Sequence, residues 1–120
     1  MNHVLKEIRF RIIEISDPEL QRKLWLNENN DTGLESSYDE LICTLFDDFD
    51  FKKFVKYYAK EYGLDDSVIS ELKLLMEMLN GYSEKRTYLE IIEDQEWKKI
   101  SQQAVKILEL WKDNNQDTLF

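Results

Sequence analysis

Carboxylates dominate what this chain could do chemically. It carries 25 acidic side chains against 16 basic ones, with a single histidine and a single cysteine. Asp31, Glu35, Asp39, Glu40, Asp47, Asp48 and Asp50 crowd into residues 31–51 without one intervening Lys or Arg. Adjacent carboxylates such as Asp47 and Asp48 could serve as an acid–base pair, but a general acid needs surroundings that raise its pKa. Acids on an exposed helix face usually stay ionised. Cys43 would need a nearby base to become a nucleophile, and His3 lies forty residues away. Cys43 is therefore expected as a small buried or half-buried filler. One His and one Cys do not make a metal site, and His3 alone supports no Ser–His–acid set. Gly33, Gly63 and Gly81 are too far apart for a phosphate loop. The expectation is a protein without catalytic residues, metal or cofactor.

The acids must be positioned by helices. Ser37 and Glu40 fit a capping box. Leu41, Ile42, Leu45, Phe46 and Phe49 then recur at three- and four-residue spacing, which predicts one apolar stripe. Asp39, Cys43, Asp47 and Asp50 fall on another face, with Glu40 and Asp48 beside it. The phase slips at Phe51, so a bend is expected near Asp50. The stripe resumes with Phe51, Phe54, Val55 and Tyr58 and stops at Gly63.

The rest reads as helices around the same core. Val4, Leu5, Ile8, Ile12 and Ile15 predict a helix over 4–14, although RFRIIEI also alternates like a strand. Ser16-Asp17-Pro18-Glu19 is a start signal with Ser16 as the cap. The helix it opens carries Leu20, Leu24 and Trp25. Asp17 and Arg22 are expected to be structural, Arg22 by reaching an acid on a neighbouring segment. Residues 27–36 are polar and aperiodic, hence a loop. Asp65 or Asp66 caps a helix to Asn80 that buries Val68, Leu72, Leu75, Met76 and Leu79. Residues 83–93 fit either a short helix capped by Ser83 or an extended segment. Asp94 caps a last helix with Trp97, Ile100, Ala104, Ile107, Leu108 and Trp111 on its stripe. The expected fold is all-α: a single compact domain over 1–120, of five to six helices around one aromatic-rich core, with 113–120 frayed.

The net charge of −9 is unevenly placed. Residues 1–30 are neutral, 31–51 carry −7, and 52–63 carry four lysines against Glu61. Phosphate contacts need a basic face, so nucleic acid is not the expected partner. An acidic segment suits a basic protein, which it attracts over roughly 8–10 Å. No apolar run reaches the ~20 residues that span a bilayer. The N-terminus mixes charges into its apolar residues, unlike a secretory signal. A cytoplasmic protein with no membrane contact is expected.

Two segments carry a resemblance. Ser16, Asp17, Pro18, Glu19, Gln21, Arg22 and Trp25, followed by Ser37, Tyr38, Asp39, Glu40, Phe46, Asp47 and Asp48, resemble the small immunity proteins of bacterial toxin systems, particularly those of contact-dependent growth inhibition. The likeness covers about a third of the chain. It implies a cytoplasmic inhibitor that binds and neutralises a cognate toxin domain, often a nuclease with a basic cleft, and does no chemistry itself. The partner-binding residues it suggests, together with the charge, are Asp39, Glu40, Asp47, Asp48 and Asp50. The alternative is an acidic helical adaptor or regulatory subunit that docks on a basic protein.

Overall fold

The computed structural model describes residues 2–111, and all regular structure among them is helical. The expectation for 113–120 lies outside the described residues.

Helix α1 spans His3–Ser16, with Asn2 Oδ1 accepting from the Leu5 N–H at 2.9 Å. Leu5, Ile8, Ile12 and Ile15 are buried along one stripe, so the strand-like alternation of RFRIIEI does not decide its conformation. Ser16 does not cap the next helix. Its hydroxyl donates back to the Ile13 carbonyl at 2.7 Å. The cap of α2 (Pro18–Leu26) is Asp17, whose Oδ1 accepts from Glu19 N–H at 3.0 Å and Leu20 N–H at 3.1 Å. A carboxylate is the better acceptor beside the positive end of a helix.

Helix α3 (Tyr38–Cys43) starts at Ser37, whose Oγ accepts from Glu40 N–H at 3.0 Å. It runs into a π-helical turn over Thr44–Asp48. The extra residue in that turn rotates the later side chains of the arm by about 100°. Leu41 and Leu45 stay fully buried, Thr44 turns inward, and Phe46 and Phe49 move to the half-buried margin of the core. Asp50 adopts a left-handed conformation (φ 44°) and makes the expected bend. The chain resumes as α4 (Phe51–Lys53), a second π turn (Phe54–Tyr58) and α5 (Ala59–Glu61). Gly63 (φ 94°) closes it: its N–H reaches Lys60 O at 3.0 Å and Leu64 N–H reaches Ala59 O at 3.0 Å. That pairing satisfies the last carbonyls and needs the left-handed backbone a glycine tolerates.

Helix α6 (Asp66–Gly81) buries Val68, Leu72, Leu75 and Leu79, with Met76 half-buried. Residues 82–87 form no regular structure and bend at 86–87, and α7 (Tyr88–Glu93) is capped by Thr87 rather than Ser83. With α3 and its π turn counted as one segment, and α4, the second π turn and α5 as another, the described residues form seven helical segments against the expected five or six. Helix α8 (Gln95–Leu110) is the central post, packed by α1 and α6, while α2 lies on α7.

The aromatic core joins four segments. Trp97 on α8 meets Trp25 at 6.0 Å, Tyr38 at 5.5 Å and Tyr82 at 5.3 Å between ring centroids. Tyr38 thus pins the start of the acidic helix. Beside these rings runs a buried polar chain. Glu14, fully buried, accepts from Arg11 Nη1 and from Trp25 Nε1, both at 2.8 Å. Arg11 Nη1 also donates to Ser36 Oγ at 3.2 Å. Gln21, also fully buried, donates to the Glu14 and Ile15 carbonyls at 2.8 and 2.9 Å and accepts from Trp97 Nε1 at 3.0 Å.

Arg22 does reach an acid, Glu93 at 3.4 Å, and lies 3.8 Å from Glu28. The pair is partly exposed, so it stabilises by at most ~1 kcal/mol. The lock on α2 is the adjacent Gln21.

Urea unfolding separates these roles. Trp97→Ala should lower stability by ~3–5 kcal/mol, and the half-buried Phe46→Ala by distinctly less. Glu14→Ala should cost ~3–5 kcal/mol by leaving Arg11 uncompensated, whereas Glu14→Gln, which keeps an acceptor, should cost less. Equal losses for the two Glu14 variants would remove the charge from the account.

Candidate protein-binding face

The acids of α3 and its π turn are surface groups. Asp39, Glu40, Asp47, Asp48 and Asp50 are all exposed, and among the described residues none forms an ion pair. The structure places them on one arm of the fold, since α3 presents Tyr38 and Leu41 inward, its π turn presents Leu45, and the acids occupy what is left. They are not equivalent. Among the described residues Glu40 and Asp48 carry no side-chain hydrogen bond, and Asp47 has only Cys43, on the same arm, as its partner. Asp39 Oδ2 accepts from Tyr88 Oη at 3.0 Å and so ties α3 to α7. Asp50 Oδ1 accepts from Lys53 N–H at 3.4 Å at the bend.

Cys43 stands on this face, exposed, and is not the filler the sequence suggests. Leu41 and Leu45 already occupy the interior to either side of it. Its thiol pKa is raised above the ordinary value, first by lost hydration and then by the negative charges of Asp47, Asp39 and Asp48, with a hydrogen bond to Asp47 adding to the effect. A raised pKa keeps the sulfur protonated and weakly nucleophilic. Cys43 therefore lacks the activated character of a nucleophilic thiol.

Beside the face lies a cleft of about 460 Å³, lined by Leu26, Asp39, Arg86, Tyr88 and Leu89. Leu89 is exposed and Leu26 half-buried, so this edge of the acidic arm carries two apolar side chains among the charged groups of Asp39, Glu84, Lys85 and Arg86. The sequence did not flag this edge, because 83–93 has no clear period. Tyr38, beneath the face, has its pKa pushed up to about 12 by burial and then by Glu84 and Asp39. Tyr82 is raised as well, by burial and by donating to Asp94 at 2.8 Å. Raised tyrosines favour the folded state below pH 10, and that contribution is lost between pH 10 and about 12.

Among the described residues no group of three His, Cys, Asp or Glu side chains is placed to hold a metal ion. No helix among them is long and apolar enough to cross a membrane. Comparison of the chain with protein-family models, curated proteins and solved structures returns no match.

Cys43 offers a direct reading of the field on this face. Alkylation by a neutral reagent at pH 7.5 should be slow for an exposed thiol. The Asp47→Asn, Asp48→Asn variant should react several-fold faster, because removing the anions lowers the thiol pKa. An unchanged rate would mean that these carboxylates do not act together at the sulfur.

Proposed function

We propose that this protein is an inhibitor that binds a basic protein through the exposed acidic arm and performs no chemistry of its own. The observation that carries the reading is the set of five exposed carboxylates without a single ion pair among the described residues. Charges left unpaired on a surface cost little in water, and they are available to a partner that brings the opposite sign. The resemblance of Ser16–Trp25 and of the acidic arm to immunity proteins makes the partner a cognate bacterial toxin domain, met in the cytoplasm.

The mechanism is occlusion. A basic cleft that handles an anionic substrate attracts carboxylates spaced along a helix. Charge steering raises the association rate, up to ~10⁸–10⁹ M⁻¹s⁻¹ at low salt. Fast capture is what an antidote needs. Apolar contact at Leu26 and Leu89 would supply slow dissociation, since rim charges mainly govern the approach.

Capture of partners from the native host, with the chain as bait, should recover one basic protein. Glu40→Gln, Asp47→Asn and Asp48→Asn together should weaken its binding at least tenfold and slow association, with a smaller effect at high salt. These three positions leave the bend at Asp50 and the tie at Asp39 intact. Undiminished affinity in the triple variant, with no salt dependence in the parent chain, would move the site off this arm.

A further inference from the structure

The arm that follows the acidic one has the opposite surface. Tyr57 is 55 % exposed and Tyr58 and Tyr62 are each 39 % exposed. They share this stretch with Lys52, Lys53, Lys56 and Lys60, all exposed, and with one acid, Glu61. Lys56 Nζ lies 5.3 Å from the Tyr57 ring centroid, and the Tyr58 and Tyr62 rings stack at 6.3 Å. Lys60 reaches Asp66 at 3.2 Å. Lys52, Lys53 and Lys56 have no ion pair among the described residues. Pre-stacked tyrosines lose little side-chain freedom on contact, and Tyr is enriched where interfaces carry their binding energy.

We propose that this lysine–tyrosine arm docks on the acidic arm of a second copy of the chain, forming a two-fold symmetric dimer. The charges are complementary: Asp39, Glu40, Asp47 and Asp48, with no base, over residues 38–48 against four lysines and one glutamate over 51–61. The lengths match too. Residues 38–48 and 51–61 are each about 16 Å long at 1.5 Å per residue. Within one molecule the two arms do not neutralise each other, because they are joined at the left-handed Asp50 and each packs its inner side on the core. A two-fold axis places each acidic arm on the other copy's basic arm and closes the assembly. An extended polyanion fits less well, since the adjoining acids would be forced against its phosphates.

The dimer uses the carboxylates assigned above to the partner, so a basic partner competes with the second copy. The protein then stores its acidic face covered and exposes it on dissociation. This rests on the acidic arm as a docking face and not on the identity of the partner. Self-association is measured with the chain alone, so it fails or succeeds separately from inhibition.

The test is sedimentation equilibrium of the full chain at low and high salt, followed by a charge swap. One variant carries Lys52→Glu, Lys53→Glu and Lys56→Glu; the other carries Glu40→Lys, Asp47→Lys and Asp48→Lys. All six positions are exposed, and unchanged thermal unfolding checks that each variant folds. The parent should dimerise more tightly at low salt. Each variant alone should associate roughly tenfold or more weakly, because two arms of like charge meet. Mixed one to one, the two should form a heterodimer. A parent that stays monomeric at low salt overturns the proposal, as does a dimer that survives in either variant or a mixture that does not associate.

Discussion

The packing of this protein depends on two buried hydrogen-bonding side chains, Glu14 and Gln21. Both are fully buried, and each is committed to groups on different elements. Glu14 holds Arg11 of its own helix and the indole N–H of Trp25 on α2. Gln21 holds the last carbonyls of α1 and the indole N–H of Trp97 on α8. Two tryptophans whose rings lie 6.0 Å apart are thus fixed by their polar ends. Apolar packing alone tolerates several orientations of such rings. An indole N–H buried without an acceptor costs about 1–3 kcal/mol, so the acceptors select one arrangement. The arrangement is not fully satisfied, because Arg11 Nε is buried with no partner. The polar chain fits a role in specifying the packing better than one in adding stability, since a buried ion pair often gains little over an apolar replacement.

This selection reaches the surface through Tyr38 and Ser36. Arg11 donates to Ser36, and the Ser36 N–H donates to the Leu24 carbonyl at 3.3 Å, so the end of the 27–36 loop is anchored on both α1 and α2. Two residues later Tyr38 enters the aromatic cluster. The acidic helix therefore starts from a fixed point, with its direction set by the core. Past Leu45 the attachment weakens: the π turn puts Phe46 and Phe49 at the margin, and the chain reverses at Asp50. The acids sit where the arm is held on one side and free on the other.

Much of this was legible in the sequence. The repeated three- and four-residue spacing of α1, α6 and α8 located their buried faces, because long helices on one core leave a regular imprint. The break at Phe51 marked the bend at Asp50, and Gly63 marked the end of α5. The acidic segment was visible because exposed charge is not subject to packing. The features that were not legible depend on contacts distant in sequence. Gln21 and Glu14 lie close to apolar stripes, yet only the approach of Trp97 from 76 residues away gives Gln21 its acceptor duty. The π turn hides in a stretch whose apolar spacing fits an ordinary helix, so Phe46 and Phe49 read as core. The Asp17 cap was lost to Ser16 because both residues can cap, and only the backbone geometry between α1 and α2 chooses.

The division between core and arm has a consequence for how such a surface changes. Glu40, Asp47 and Asp48 touch nothing that holds the fold, while Tyr38, Leu41 and Leu45 on the same arm hold it firmly. The inward residues fix where the arm lies; the outward ones decide what it attracts. Exposed substitutions away from caps and ties usually move stability by no more than ~0.5 kcal/mol. The charge pattern of this arm can therefore be rewritten without refolding the protein. Asp39 and Asp50 set the limits of that freedom, because one carries the tie to Tyr88 and the other a left-handed bend that only a few residue types adopt at low cost. A helix that is rigid at its root and unconstrained on its outer face is a physical basis for keeping one scaffold while its binding preference is altered.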